Sequence, residues 1–541
     1  MRSCLQDKIR FSTIKPRNLN SYPAPSQGTT SADDTLPTVM PYPFTLPTTS
    51  SVQLSDFLTS STHPSLPLTA TTKRSVLKDA LKKHKRLALA AQAAHLSTVQ
   101  DALNNYLPYL LALNTGSGYR DFESERIDIE IVKPLEIEWR STLSATRPGC
   151  EPPRPKLTGL HHEVAFVLST LGYTYTLQAR AQLRSLQDLA TQTTEQRTTA
   201  IGTAMKHLLS AYSIHNHLAS NPSVTSSSST SSTTITSPGP VDTHPSTLSA
   251  LASLALAEAT LVVVGKDDPY AAAIADDRNT SNRDWMFRAP SIPKVRAHLY
   301  ARICLAAAEH AGQAHGLLAR IPSSSGTAGG KIDDDMIKYA NDLRQTARAK
   351  ATRFLAIDAE LSGKTGEALA WLRGSRNELG LPPVELEDGK RKGLKGLKHT
   401  FLEKREDKKI ASNSKEWGLD AGRLEEARVV EQLEAKWDRE NSTVNVQVVP
   451  PEGPLMAGLP SGREYHSPQP WVPPALDEGT LAVMRAPVQP GNSGGFGGEE
   501  EDSGDELENV GYVPAGVGAT PGAFPPQAGE LGRSGTSNSY Y

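Results

Sequence analysis

Two neighbouring stretches built mainly from alanine and aliphatic residues constrain the fold of this chain most. They read LASLALAEATLVVV at residues 251–264 and KVRAHLYARICLAAAEHA at residues 294–311. Small side chains let helix axes approach closely, so both stretches are predicted to be inner helices of a packed helical array. Both stretches carry few polar positions that catalysis could use, which favours a protein that holds other proteins.

The composition excludes several classes of protein. With 57 basic and 59 acidic side chains, the net charge of −2 creates no global field towards nucleic acid or membranes. The three cysteines, Cys4, Cys150 and Cys304, lie far apart without a CxxC pair. This spacing argues against a disulfide framework and a structural zinc site, and it favours a reducing, intracellular compartment. No apolar run reaches the roughly 18 residues of a membrane span, and no secretory signal opens the chain.

Changes in sequence character divide the chain into three parts. Residues 1–39 are rich in Pro, Ser and Thr and are predicted to be a disordered leader, with Met40 as a possible alternative start. A transit peptide is the rival interpretation of this leader. Residues 40–452 carry helical periodicity, interrupted by a Ser/Thr/Pro-rich insertion at 222–246 that is predicted to be disordered. Residues 453–541 are Pro/Gly-rich and acidic, and we expect a disordered tail.

A different period appears between two of the predicted helices. Apolar residues alternate with polar ones at 127–131 and again at 135–139, on either side of Pro134. Alternation with period two is typical of half-buried strands. The pattern predicts a small β-hairpin beside the helices.

The motifs for catalysis and cofactor binding fail on inspection. GKTG at 363–366 lacks the earlier glycine of a P-loop, because Asp358 occupies that position. His161-His162-Glu163 does not have the HExxH spacing that places two imidazoles on one helix face. No GxSxG elbow is present. We therefore expect no enzymatic activity, no metal and no cofactor.

One basic segment needs separate consideration. Lys390–Lys409 carries nine Lys/Arg in twenty positions, a density that suits peripheral contact with anionic lipid headgroups. An ordinary charged loop between helices, or an import signal, would also explain it. No interleaved aromatic residues support base stacking, so nucleic acid is not an expected partner.

Several segments, taken in order, resemble one known family. They are LPTTSSVQLSDFL at 46–58, LEIEWRSTL at 135–143, LHHEVAFVLSTLGYTYTLQARAQL at 160–183, SGKTGEALAWLRGS at 362–375 and NSTVNVQVVP at 441–450. The ordered set resembles the BRO-type domain of ALIX-like proteins, and further segments at 40–51, 266–279 and 284–311 resemble its fungal pH-response members. The resemblance implies a mainly α, elongated helical array with a tetratricopeptide-like core.

The resemblance also implies a function. It suggests a cytoplasmic adaptor in alkaline-pH signalling, recruited to cortical plasma-membrane or endosomal sites beneath a pH-sensor complex. The adaptor would bind an ESCRT-III subunit and support activation of a zinc-finger transcription factor by a separate calpain-like protease. Endosomal sorting, or a generic tetratricopeptide-like scaffold, remain alternatives, although no 34-residue repeat is found.

The resemblance places the partner-binding groove on segments matching 261–275 and 365–373. An amphipathic partner helix would lay its leucines into an apolar channel there. The residues expected to line or flank this channel are Lys266, Ile274, Leu369 and Leu372.

Overall fold

The computed structural model describes residues 39–117, 126–146, 149–186, 194–221, 240–270, 292, 294–321, 330–381 and 417–487. Within these ranges the chain is mainly α-helical, which confirms the predicted fold class. Eleven α-helices are present in the described ranges: α1 (Leu66–Arg86), α2 (Leu89–Ser117), α3 (Leu160–Ser185), α4 (Thr194–Ser220), α5 (Pro245–Lys266), α6 (Lys294–Ala319), α7 (Asp334–Leu361), α8 (Thr365–Glu378), α9 (Arg423–Glu440), α10 (Glu452–Ala457) and α11 (Glu478–Met484).

Each long helix from α1 to α9 packs against the next one along the chain. The alanine-rich helix α5 lies between α4 and α6, and its residues from Thr247 to Gly265 are almost all buried. By length and composition α5 would be able to cross a membrane, yet 89% of its most apolar window is buried inside the protein. Ala301, Cys304 and Ala308 of α6 are also buried. The prediction of two inner helices is confirmed.

The strand pairing differs from the predicted hairpin. Strand β1 (Leu58–Thr59) pairs with β2 (Glu130–Ile131), and β3 (Glu136–Glu138) pairs with β4 (Lys156–Thr158), both antiparallel. The two alternating segments therefore do not pair with each other. Most of their apolar side chains, Ile129 and Ile137 among them, enter the helical core, whereas Ile131 is 56% exposed. The backbone of β2 therefore pairs with a strand that precedes it in the chain, and the backbone of β3 pairs with one that follows it.

The segment that begins at Met40 is part of the core. Phe44 stacks on Tyr173 of α3 with ring centroids 4.6 Å apart, and Tyr42 contacts Phe44 edge-on at 4.9 Å. Val39 and Met40 are also buried. The leader before residue 39 lies outside the described residues.

The predicted disorder of the insertion is wrong at its carboxyl-terminal end. Residues 222–239 lie outside the described residues, but Val241–Thr243 form a buried 3₁₀ turn and α5 begins at Pro245. The side chain of Asp242 accepts a hydrogen bond from the Leu143 backbone N–H at 3.1 Å. The Thr247 hydroxyl caps the turn by donating to the Val241 carbonyl at 2.7 Å. Specific hydrogen bonds therefore fix a stretch that has no apolar period.

The predicted disorder of the tail is wrong for residues 453–487. Between α10 and α11 an extended C-terminal strap (residues 458–476) runs over the helices. The Arg463 N–H donates to the Arg302 carbonyl at 2.9 Å, and Trp471 meets His217 edge-on at 4.7 Å. Leu476 is buried at its far end, and Leu481 and Met484 of α11 are buried just beyond it. Isolated anchors and backbone hydrogen bonds hold the strap, and neither leaves a periodic signal.

Candidate partner-binding surface

The structure describes three of the four residues predicted to bind a partner. Lys266 is exposed at the last residue of α5. Ile274 lies outside the described residues. Leu369 and Leu372 are 0% exposed, because their face of α8 packs into the main core against α7 and α9. Neither leucine is therefore accessible to a partner in the structure.

The first turn of α8 is covered by the segment that follows α9. The Gly366 N–H donates to the Gln447 side-chain carbonyl at 3.0 Å, and the Asn445 amide donates to the Thr365 hydroxyl at 2.8 Å. A Cβ on Gly366 would lie 2.4 Å from the Val448 carbonyl oxygen, so only glycine permits this approach. The covering segment is thus held by polar contacts close to the backbone.

These polar contacts leave apolar side chains pointing outward. Val444, Val446 and Val448 form a valine ridge that is 77%, 77% and 90% exposed. Val446 has a φ of +47°, a left-handed conformation that a β-branched residue rarely adopts. The ridge provides the apolar surface beside α8 that the buried leucines do not. Its alternating valines in NSTVNVQVVP were the only sequence signal for it.

A cluster of four buried charges lies beneath the end of α5. Arg353 of α7 donates from Nε to Glu426 of α9 at 2.5 Å and also pairs with Asp268, just past α5. Lys350 donates to Glu426 at 2.6 Å and lies 3.7 Å from Asp268. All four side chains are at most 1% exposed. We call these residues, Asp268, Lys350, Arg353 and Glu426, the buried quartet.

The charges of the quartet balance each other. Burial alone would raise the pKa of Asp268, but Arg353 and Lys350 hold it below its ordinary value. Burial alone would lower the pKa of Arg353, but Asp268 and Glu426 raise it. Both groups therefore stay ionised through the neutral range, and the quartet positions the end of α5 against α7 and α9.

The quartet also links the two segments predicted to form the groove. Helix α7 lies between them, because its Arg353 reaches Asp268 while its Ala349 carbonyl accepts a hydrogen bond from Ser375 of α8 at 2.9 Å.

Among the described residues, no group of three or more His, Cys, Asp or Glu side chains is arranged to hold a metal ion. Burial raises the pKa of the Cys304 thiol to about 12, which suits packing and not nucleophilic attack.

Comparison with known proteins gives concordant results. Residues 69–459 match the family described as "BRO1-like domain". The chain is 42% identical over 537 residues to the pH-response regulator protein palC of Emericella nidulans, covering 93% of this chain and all of that protein. It is 34% identical over 179 residues to the palC protein of Cryptococcus neoformans var. neoformans, covering 32% of this chain and 34% of that protein.

Solved structures with low sequence identity are also similar. One, titled "ALIX BRO1 CHMP4C complex", is 15% identical with a TM-score of 0.46, and the match covers 80% of this chain and 96% of that one. Another, titled "Structure basis for endosomal targeting by the Bro1 domain", is 14% identical with a TM-score of 0.43, covering 82% and 95%.

Proposed function

Because this chain belongs to the BRO1-like domain family, we propose that it is a non-catalytic adaptor of a fungal ambient-pH response pathway. One observation carries the proposal: the 42% identity extends over the full length of the pH-response regulator protein palC. Similarity across a whole relative includes its interaction surfaces as well as its core.

The architecture is consistent with an adaptor. The described helices pack in sequence, and the buried quartet ties α5, α7 and α9 together through fully paired charges. Buried ion pairs of this kind position elements, because removing one partner would leave an uncompensated buried charge. The absence of enzymatic activity stays a prediction.

The proposed partner is an ESCRT-III subunit that binds through an amphipathic helix, as the family resemblance implies. We place its contact on the segment that contains Lys266 and Ile274. The exposure of Lys266 supports this placement, since a lysine at a solvated rim pairs with acidic flanks of a partner helix. Leu369 and Leu372 are not part of the proposal because both are buried.

The remaining steps are proposed on the same resemblance. The adaptor would be cytoplasmic and recruited to cortical plasma-membrane or endosomal sites, in reach of a pH-sensor complex. There it would support activation of a zinc-finger transcription factor by a calpain-like protease. Lys390–Lys409, which lies outside the described residues, is the proposed segment for peripheral contact with anionic lipid.

Growth of a deletion strain tests the pathway. Cells without the protein should fail selectively on alkaline medium and grow normally on acidic medium, and the wild-type gene should restore alkaline growth. Sorting defects of equal severity at both pH values would instead favour an endosomal sorting adaptor. Normal alkaline growth would reject the proposal.

A binding measurement tests the partner. Isothermal titration of the full chain with the carboxyl-terminal helix of an ESCRT-III subunit should show binding that Ile274→Asp abolishes and Lys266→Glu weakens two- to fivefold, roughly the effect of a rim ion pair. Lys206→Glu, an exposed charge reversal on α4, is the matched control and should bind normally. Unchanged affinity of Ile274→Asp would reject this placement of the groove.

A further inference from the structure

We propose that a second site, at the corner where α1 meets α2, binds an acidic peptide segment of a partner protein that inserts one large apolar side chain. The pocket lies between residues 43–46, the end of α1, the start of α2 and one face of α3. It is separate from Lys266 and the valine ridge. The proposed pocket can therefore be tested independently of the proposed ESCRT-III contact.

The size of the pocket suits a side chain. Its volume is about 220 Å³, and its lining is mainly apolar. Small-molecule sites are usually larger, roughly 300–1,000 Å³, so this pocket fits one or two apolar side chains and not a cofactor. The main apolar residues of the lining are Phe44, Leu46, Leu89, Leu96 and Leu177.

The rim of the pocket is basic. Lys85 lines it, and the same last turn of α1 also carries Lys83 and Arg86. Glu151 balances part of this charge through its ion pair with Lys85, in which both side chains remain substantially exposed. Basic side chains nevertheless outnumber acidic ones around the opening, so the rim is complementary to a negatively charged segment.

Two arginines one turn apart on α3 make the inner wall positive as well. Arg180 donates to the Pro41 carbonyl at 2.6 Å and to the Trp417 carbonyl, and Arg184 lies over the Trp417 ring at 5.9 Å. Burial and the neighbouring Arg184 charge lower the pKa of Arg180 to about 9. A carboxylate at the mouth of the pocket would relieve this like-charge repulsion.

Charge and shape select the occupant. The leader of this chain, residues 1–38, carries five Arg/Lys and three Asp, so its net positive charge does not match the basic rim. A bilayer surface would match by charge, but it is flat, whereas this site is a concave pocket lined by apolar side chains. An acidic peptide with a leucine, methionine or aromatic anchor satisfies both conditions.

The test uses the full chain and a defined probe. Fluorescence anisotropy would measure binding of a library of octapeptides that are Glu/Asp-rich and carry one varied apolar position. We expect Kd values of roughly 10–100 µM for large apolar anchors. Replacing the anchor by Ser, or the acidic residues by Lys, should remove binding.

Two variants address the pocket itself. Ala93→Trp fills it from an exposed position, and Arg184→Glu reverses its inner charge; each should weaken binding at least tenfold. The matched controls are Ala91→Trp, exposed on the same helix outside the lining, and Arg320→Glu, exposed just past α6. Both controls should bind like wild type, and all four should keep the wild-type melting temperature.

Three outcomes would overturn the proposal. The first is that no acidic peptide of the library binds. The second is that the pocket variants bind as tightly as their controls. The third is that the protein binds phosphatidylserine vesicles, that Arg184→Glu abolishes this vesicle binding, and that the peptides do not compete with the vesicles. That result would assign the site to membrane binding. Failure in any of these ways leaves the Ile274→Asp result unaffected, so the two proposals fail separately.

Discussion

Helix α7 contacts buried carboxylates in both of its halves, but the groups that it offers them differ. In its second half, Lys350 and Arg353 place full positive charges against Asp268 and Glu426. In its first half, Tyr339 offers only a hydroxyl, which donates to Glu258 of α5 at 2.8 Å. Glu258 accepts its other hydrogen bond from the Tyr42 backbone N–H at 2.9 Å.

Equal burial therefore has opposite consequences for protonation. The pKa of Asp268 lies below its ordinary value, because two cations outweigh the effect of burial. Burial raises the pKa of Glu258 to about 7, and the hydrogen bonds and the charge of Arg180 offset only part of that rise. The difference teaches that the N-terminal segment is docked on a group that ionises near neutral pH, whereas Asp268 stays charged.

Breaking the quartet should have the largest effect. Arg353→Met leaves Asp268 and Glu426 with Lys350 alone, and an uncompensated buried charge costs about 3–5 kcal/mol. Chemical denaturation at pH 7 should show this loss in the free energy of unfolding. The double variant Arg353→Met/Glu426→Gln removes one charge of each sign and should be more stable than Arg353→Met alone. Strict additivity of the two changes would contradict the quartet as one unit.

Neutralising Glu258 should change the pH dependence of stability. Its folded pKa of about 7 lies above the ordinary 4.5, so its stabilising contribution is complete below about pH 4.5 and is lost as pH rises through 7. Glu258→Gln keeps the oxygen that accepts both hydrogen bonds and carries no charge at any pH. Relative to wild type, the variant should therefore gain stability between pH 5 and 8, by about 2–3 kcal/mol in total.

Urea denaturation at several pH values measures this gain. The control is Glu367→Gln on α8, a carboxylate that is partly exposed and pairs with exposed Lys364. Its pH profile should follow that of wild type. Parallel profiles for wild type and Glu258→Gln would show that Glu258 does not titrate in this range.

How far the sequence predicts this molecule depends on the kind of signal. The alanine-rich helices were predictable because small-residue periodicity reports close packing directly, as Ala301 and Ala308 of α6 show. Leu369 and Leu372 were assigned to a groove by resemblance, but apolar side chains in a sequence do not tell whether another protein or the same chain covers them. Here α7 and α9 cover them.

Contacts between distant segments were the least predictable. Nothing local to Asp268 indicates that residues 350, 353 and 426 will surround it. The strap was missed for a related reason, since Trp471 and Leu476 are single anchors in a Pro-rich sequence. Composition reports whether a segment has enough apolar residues for a core of its own, and the strap borrows a core that already exists.

A third prediction compares Glu258 with Asp242, a buried carboxylate that accepts hydrogen bonds from several backbone N–H groups. Burial raises the pKa of Asp242 to about 6, although the N–H groups of Leu143 and Thr142 and the Ser144 hydroxyl lower it. Unlike Gln at position 258, Asn at position 242 would point its amide at some of these donors. Asp242→Asn should therefore lose about 1–3 kcal/mol of unfolding free energy at pH 7, measured by urea denaturation. A stability gain like that of Glu258→Gln would contradict this distinction.

The smallest effect is expected for an ion pair outside the core. Lys331 contacts Asp334 at 2.6 Å, as close as Lys350 contacts Glu426, but its side chains are 48% and 73% exposed. Water screens such a pair and the side chains lose entropy on pairing, so Lys331→Met should change the unfolding free energy by less than about 0.5 kcal/mol. The distance is the same in the two pairs, so the contrast between Lys331→Met and Lys350→Met isolates burial. A loss above about 2 kcal/mol at Lys331 would mean that geometry, and not desolvation, sets the strength of ion pairs in this protein.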